Sequence, residues 1–165
     1  MSYDIFLQYF DRGESRVATN AETAAVAALM KTVQVEADPK FRHCGITLAD
    51  GSQLECYFDH FSGNGKPFDG GMIALRAGFS PAGAEFLAAL LAASGCVTFA
   101  GGDPSIILSA GFDPREHFPN DLRAHDGWKW VEVHDGPSLA AAIGVDFSRW
   151  RNWASQIAVP DRPPP

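Results

Sequence analysis

No apolar run in the 165-residue sequence approaches the roughly 20 residues that a membrane-crossing helix requires. Cysteine is scarce: Cys44, Cys56 and Cys96 are an odd number and too sparse for a disulfide scaffold. No Cys-x-x-Cys pair occurs, so a structural zinc site lacks its usual ligand spacing. No Gly-x-Ser-x-Gly elbow occurs, and Ser80 in "GFSPAG" is better explained as a helix cap than as a nucleophile. Positive charge is in deficit. With 13 Lys and Arg against 20 Asp and Glu, the net charge is −7, which argues against a general nucleic-acid binder. The first residues, "MSYDIFLQYFDRGE", carry no basic segment before the apolar ones and no small-residue cleavage site. Secretion through a signal peptide is therefore not expected, and a cytoplasmic location is.

The chain is 46% hydrophobic and 20% charged, the balance of a globular domain. One α+β domain is expected over residues 1–158, with 159–165 a flexible proline-rich tail. "YDIFLQYF" reads as a first strand and "TNAETAAVAALMKTV" as a helix over about 20–31, because Thr19 and Glu22 stand at capping-box spacing. "FRHCGITLADGSQLECYFDHF" reads as a hairpin. A two-residue turn at Asp50-Gly51 would mix polar and apolar side chains on each face. A three-residue turn with Gly51 left-handed pairs Cys44 with Cys56 and Ile46 with Leu54 on one face, and Thr47 with Gln53 on the other. The clean register is the expected one. "FSPAGAEFLAALLAASG" is a helix capped by Ser80, started by Pro81 and closed by Gly95, with Phe86, Leu87, Leu90 and Leu91 as its apolar stripe. Further strands are expected at Met72–Ala77, "CVTFAG", "PSIILSA" and "GWKWVEVHD", with an irregular loop over 111–126 and a short helix from Pro137 to Gly144. "DFSRWRNWASQI", capped by Asp146, reads as a C-terminal docking helix, although its Arg149, Trp150, Arg151 and Trp153 also suit base stacking. The architecture that follows is a mainly antiparallel sheet with helices packed on one face.

"SGNGKPFDGG", residues 62–71, invites comparison with phosphate-binding loops. A P-loop needs a glycine where His60 stands, a hydroxyl residue where Pro67 stands, and a helix after it. The dinucleotide fingerprint fails where Phe68 occupies its third glycine position. The stretch joins strand to strand, so it reads as a connecting loop or a partner-recognition loop.

Three polar constellations remain. Cys44, Cys56 and His60 share one strand face and offer three zinc ligands or the lining of an enzyme pocket, whereas buried reduced thiols explain them more simply. His43 adjoins Cys44 but points to the opposite face, so the two do not form a nucleophile–base pair. The third is the segment 103–135, where seven acidic residues face only Arg115, Arg123 and Lys129. Carboxylates there, with His117 or His125, could do acid–base work, but no spacing singles out a pair. Its acidic residues are expected either to be solvated or to meet a basic protein. In the second case Asp103, Asp113, Glu116, Asp121 and Asp126 form the binding surface, with Trp128 as an aromatic anchor. No cofactor or metal is expected.

The opening "MSYDIFLQYFDRGE" resembles the start of a group of small bacterial cytoplasmic proteins, some of them similar to the immunity proteins that accompany contact-dependent or secreted toxins. The resemblance covers about fourteen residues and carries no catalytic residues. It implies an acidic, noncatalytic inhibitor whose partner is a basic protein such as a toxin. A small cytoplasmic enzyme and an anti-defence regulator are the alternatives.

Overall fold

The computed structural model describes residues 3–38, 40, 43–58, 67–75, 79–100, 105–124 and 127–144. Strand β1 (Tyr3–Gln8) lies in the middle of an eight-stranded sheet. A two-residue ribbon follows, β2 (Phe10–Asp11) against β3 (Glu14–Ser15). Helix α1 (Asn20–Met30) leads to β4 (Gln34–Asp38), β5 (His43–Thr47), β6 (Gln53–Phe58) and β7 (Gly71–Leu75). Helix α2 (Pro81–Ser94) leads to β8 (Val97–Ala100) and β9 (Ser105–Ala110). A 3-10 turn (Pro114–Glu116) and α3 (Asn120–Arg123) precede β10 (Trp128–Val133), and residues 136–144 form α4.

The strand order is β10-β9-β8-β1-β7-β6-β5-β4. Every pair in it is antiparallel except β9–β10, which is parallel. The fold is therefore α+β with a mostly antiparallel sheet, as expected. No helix among the described residues is long and apolar enough to cross a membrane.

One face of the sheet carries Tyr3, Ile5, Leu7, Ile46, Leu54, Cys56, Ile73 and Leu108 and packs against α1, α2 and α4. The expected apolar stripe of α2 lies there, with Leu90 fully buried beside Phe86, Leu87 and Leu91. The capping box of α1 is present: the Glu22 N–H donates to the Thr19 hydroxyl, and the Thr19 N–H donates to the Glu22 carboxylate at 2.6 Å. Ser80 caps α2 through the Gly83 N–H, and the helix ends at Gly95.

The hairpin has the register that keeps its faces clean: Cys44 opposite Cys56, Ile46 opposite Leu54 and Thr47 opposite Gln53. Gly51 closes the turn at φ +80° with nothing near a hypothetical Cβ, so glycine is needed there for backbone conformation alone. Residues 62–66 of the glycine-rich stretch lie outside the described residues, and its end has a packing role. At Gly70, φ is +102° and a Cβ would stand 2.3 Å from the Leu7 carbonyl oxygen. Glycine there lets the chain pass directly over β1.

Three sequence expectations change. The strand expected over Met72–Ala77 runs from Gly71 to Leu75, with 76–78 outside the described residues. The loop expected over 111–126 contains the 3-10 turn and α3. Strand β4 was not anticipated. The C-terminal docking helix and the proline-rich tail lie outside the described residues.

Two predictions follow from local geometry. Gly51→Val should lower stability by about 1–2 kcal/mol, because a β-branched side chain strains a left-handed residue. Denaturant melts check this, and an unchanged midpoint would contradict the turn. The second concerns Glu22, whose carboxylate accepts two 2.7 Å hydrogen bonds from the Arg16 guanidinium. That partner holds the Glu22 carboxyl below its ordinary value. A depressed folded pKa stabilises the fold above the ordinary carboxylate range, and the contribution is lost as pH falls through the folded value. Glu22→Gln should thus melt earlier than wild type at neutral pH, and the gap should narrow in acid.

Candidate functional site

The second face of the sheet has two halves. Over β8, β9 and β10 it is covered by residues 111–124, whose Phe118 is 0% exposed and packs on Val97 and Ile107. Phe10, Phe99, Phe112, Trp128 and Trp130 surround it. The Phe118 ring lies 5.1 Å from Trp128 and 5.0 Å from Trp130, both edge-on, and the two tryptophans stack at 6.1 Å. The segment is tied to the β2–β3 ribbon, since the Gly13 N–H donates to the His117 carbonyl and His117 Nδ1 stands 3.3 Å from the Asp11 carboxylate.

This segment carries three of the expected partner-binding acids, in different roles. Asp113 caps the 3-10 turn: its carboxylate accepts from the Arg115 N–H at 2.9 Å and from the Arg115 guanidinium at 3.0 Å. Those bonds hold its carboxyl below the ordinary range. Glu116 and Asp121 are exposed. Trp128 is half-buried in the aromatic cluster. Asp103 and Asp126 lie outside the described residues. Asp135, at the end of the acidic stretch, caps α4 through the Ser138 N–H at 2.8 Å.

The cysteines lie on the helix-covered face. Cys44 and Cys56 are cross-strand neighbours in the main core, 3% and 0% exposed. The hydrogen bond to Cys44, with burial, pushes the Cys56 thiol up. Cys96 is fully buried, and burial raises its thiol to about 11. The Cys44–Cys56 hydrogen bond lowers the Cys44 thiol, whereas Cys56 and Cys96 are held in the protonated form, which is inert at neutral pH. His60 lies outside the described residues. Among those residues, no three His, Cys, Asp or Glu side chains converge as metal ligands.

The other half of the second face, over β1, β7, β6, β5 and β4, was not singled out from the sequence. Its arrangement follows from register. One row reads Phe6, Met72, Tyr57, His43 and Asp38 across five strands. A second row reads Asp4, Ala74, Glu55, Gly45 and Glu36 across the same strands. Neighbouring strands lie about 4.8 Å apart, so the carboxylates alternate with small residues at intervals of about 10 Å. The rows are two residues apart along each strand, or about 7 Å. Tyr57 bridges them, its hydroxyl donating to the Glu55 carboxylate at 3.4 Å and its ring 5.2 Å from His43.

Phe6 is 45% exposed although it sits on the central strand. Beside it a groove of about 330 Å³ opens to solvent, lined among the described residues by Phe6, Gln8, Tyr57, Asp69, Gly70 and Met72. The enclosed void on the opposite face is about 10 Å³, and its lining is apolar apart from Thr98. Among the described residues, nothing in either space assembles a nucleophile and a base. The second face can, however, present acidic and aromatic groups together to a large partner. Register was the missing signal, because these residues are far apart in sequence.

Compared with known proteins, the chain matches no family model, and no curated protein or solved structure resembles it at a significant level.

The aromatic cluster should hold the acidic segment in place. Phe118→Ala should lower stability by about 3–5 kcal/mol, the cost of emptying a fully buried aromatic site. A denaturant melt measures it, and a loss under about 1 kcal/mol would mean that the segment packs only loosely on the sheet.

Proposed function

We propose that the protein is a noncatalytic, protein-binding inhibitor of the immunity type, acting in the cytoplasm on a basic partner such as a toxin. It blocks that partner's working surface by covering it with an acidic one. One observation carries the reading. On the second face of the sheet the described strand residues include Asp4, Glu36, Asp38, Glu55 and Glu132, and no lysine or arginine. The covering segment adds the exposed Glu116 and Asp121, partly offset by Arg115 and Arg123.

A surface of one sign attracts a partner of the other over several ångströms and rejects partners of like charge. The same field opposes nucleic acid, whose phosphates would meet carboxylates. Catalysis gains no comparable support, because the three cysteines are buried and the described residues of the open groove bring no nucleophile and base together.

Salt and charge reversal test the reading in a way that spares the fold. Asp113 is left alone because it caps a turn, whereas Glu116 and Asp121 are exposed. Glu116→Lys with Asp121→Lys should keep the thermal midpoint within a few degrees and slow association with a basic partner captured from the source cell by roughly tenfold at low salt. Raising the salt should slow the wild type in the same way. Association rates that ignore both salt and charge reversal would remove the electrostatic basis of the proposal.

A further inference from the structure

Long-range charge draws a partner in, but it does not say where the partner sits. We infer that the contact lies on the half of the second sheet face over β1, β7, β6, β5 and β4, and that the row Phe6–Met72–Tyr57–His43 takes arginine side chains of the basic partner. This inference rests on the proposed function and specifies the chemistry that is recognised.

The first support is an exposed aromatic on the central strand. An antiparallel sheet with one face on the core normally turns polar side chains to the other. Phe6 is nevertheless 45% exposed, with half-buried Met72 and Tyr57 continuing the apolar strip toward β5. A contiguous apolar strip rimmed by polar groups marks an interaction site. The aromatic and methionine composition of this strip matches interface cores.

The second support is the pairing of that strip with carboxylates. Two strands carry an acid two residues from a member of the strip, Asp4 beside Phe6 and Glu55 beside Tyr57, and the neighbouring β4 adds Asp38 opposite His43. Arginine satisfies both rows at once. Its planar guanidinium stacks on aromatic faces while its fork of donors reaches a carboxylate. Lysine, a compact and strongly hydrated point charge, uses the carboxylates but gains less from the rings.

The third support is shape. The groove beside Phe6 is lined by Gly70, where only glycine fits against the Leu7 carbonyl of β1. The surface is thus corrugated at side-chain scale, which suits protruding side chains of a folded partner.

The test is an NMR titration of the full-length protein with tetra-arginine and, separately, tetra-lysine peptides at low salt. With tetra-arginine, saturable amide shifts should cluster on Phe6, Tyr57, Gly70 and Met72, and its affinity should exceed that of tetra-lysine at least threefold. Phe6→Ala, a change at an exposed site, should keep the circular dichroism spectrum and weaken tetra-arginine binding at least fivefold. Glu36→Gln with Glu55→Gln should weaken both peptides. Shifts confined to residues 113–121 would overturn the inference and leave the acidic-inhibitor reading standing. Equal affinity for the two peptides would also overturn it, since the rings would then take no part. Absence of saturable shifts anywhere would count against both. Contacts of Trp150 or Trp153 with Phe6 in the free protein would make the chain's own basic stretch the occupant, and the inference would fall.

Discussion

The alternation of strand β1 decides which residues this molecule hides and which it presents. Tyr3, Ile5 and Leu7 point to the helices and are almost completely buried, while Asp4, Phe6 and Gln8 point the other way. Because β1 is hydrogen-bonded on both sides, its parity is transmitted through β7 and β8 to every other strand. A slip of one residue in either pairing would bring Phe6 and Asp4 into the core and expel Ile5 and Leu7. Burying an unpaired carboxylate in that core would cost several kcal/mol, so register here is strongly specified. The acidic and aromatic rows of the opposite face are a consequence of the same parity.

Stability and presentation are thereby assigned to different faces. The helix-covered side holds the main core, and its end caps are complete at both α1 and α2. Among the described residues, the second side is secured over β8–β10 by an aromatic cluster built on Phe118. The remaining strands are fixed from behind, by Ile46, Leu54, Cys56 and Ile73. The exposed Phe6 on the front of β1 is less constrained by packing than Ile5 and Leu7 behind it.

Much of the fold was legible from local chemistry. Thr19 with Glu22, Ser80 with Pro81, and Gly95 all announce helix ends within a few residues of sequence. The hairpin register could be read because only one turn length kept Cys44, Ile46, Leu54 and Cys56 on a single face. Strand β4 could not be read in this way. As an edge strand it buries little, and "QVEAD" has a single large apolar residue, so its period-two signal is nearly silent. The parallel pairing of β9 with β10 was hidden as well, because sequence pattern does not give strand direction across a connection of this length. Of the expected partner-binding residues, Glu116 and Asp121 are exposed, while Asp113 serves a turn and Trp128 serves a cluster. The rows of the open face required pairings between residues as distant as Asp4 and Glu55, joined only through Ala74 of β7. Composition showed an acidic protein, and only topology gathers the acids onto one face.

The edge strand joins folding to recognition. β4 ends the sheet, and an exposed edge offers hydrogen-bonding groups to any passing strand, including another copy of the same chain. Glu36 and Asp38 stand on that edge, both exposed. Against a second copy paired edge to edge they would meet like charge, which opposes self-association. Against a basic surface the same two carboxylates are attractive and extend the acidic row begun by Asp4 and Glu55. On the proposed function, a single pair of charges therefore acts with opposite sign on the wrong partner and on the right one. Specificity is a difference between two affinities, and here both parts of that difference arise from residues whose weak strand signal made β4 the least legible strand in the sequence.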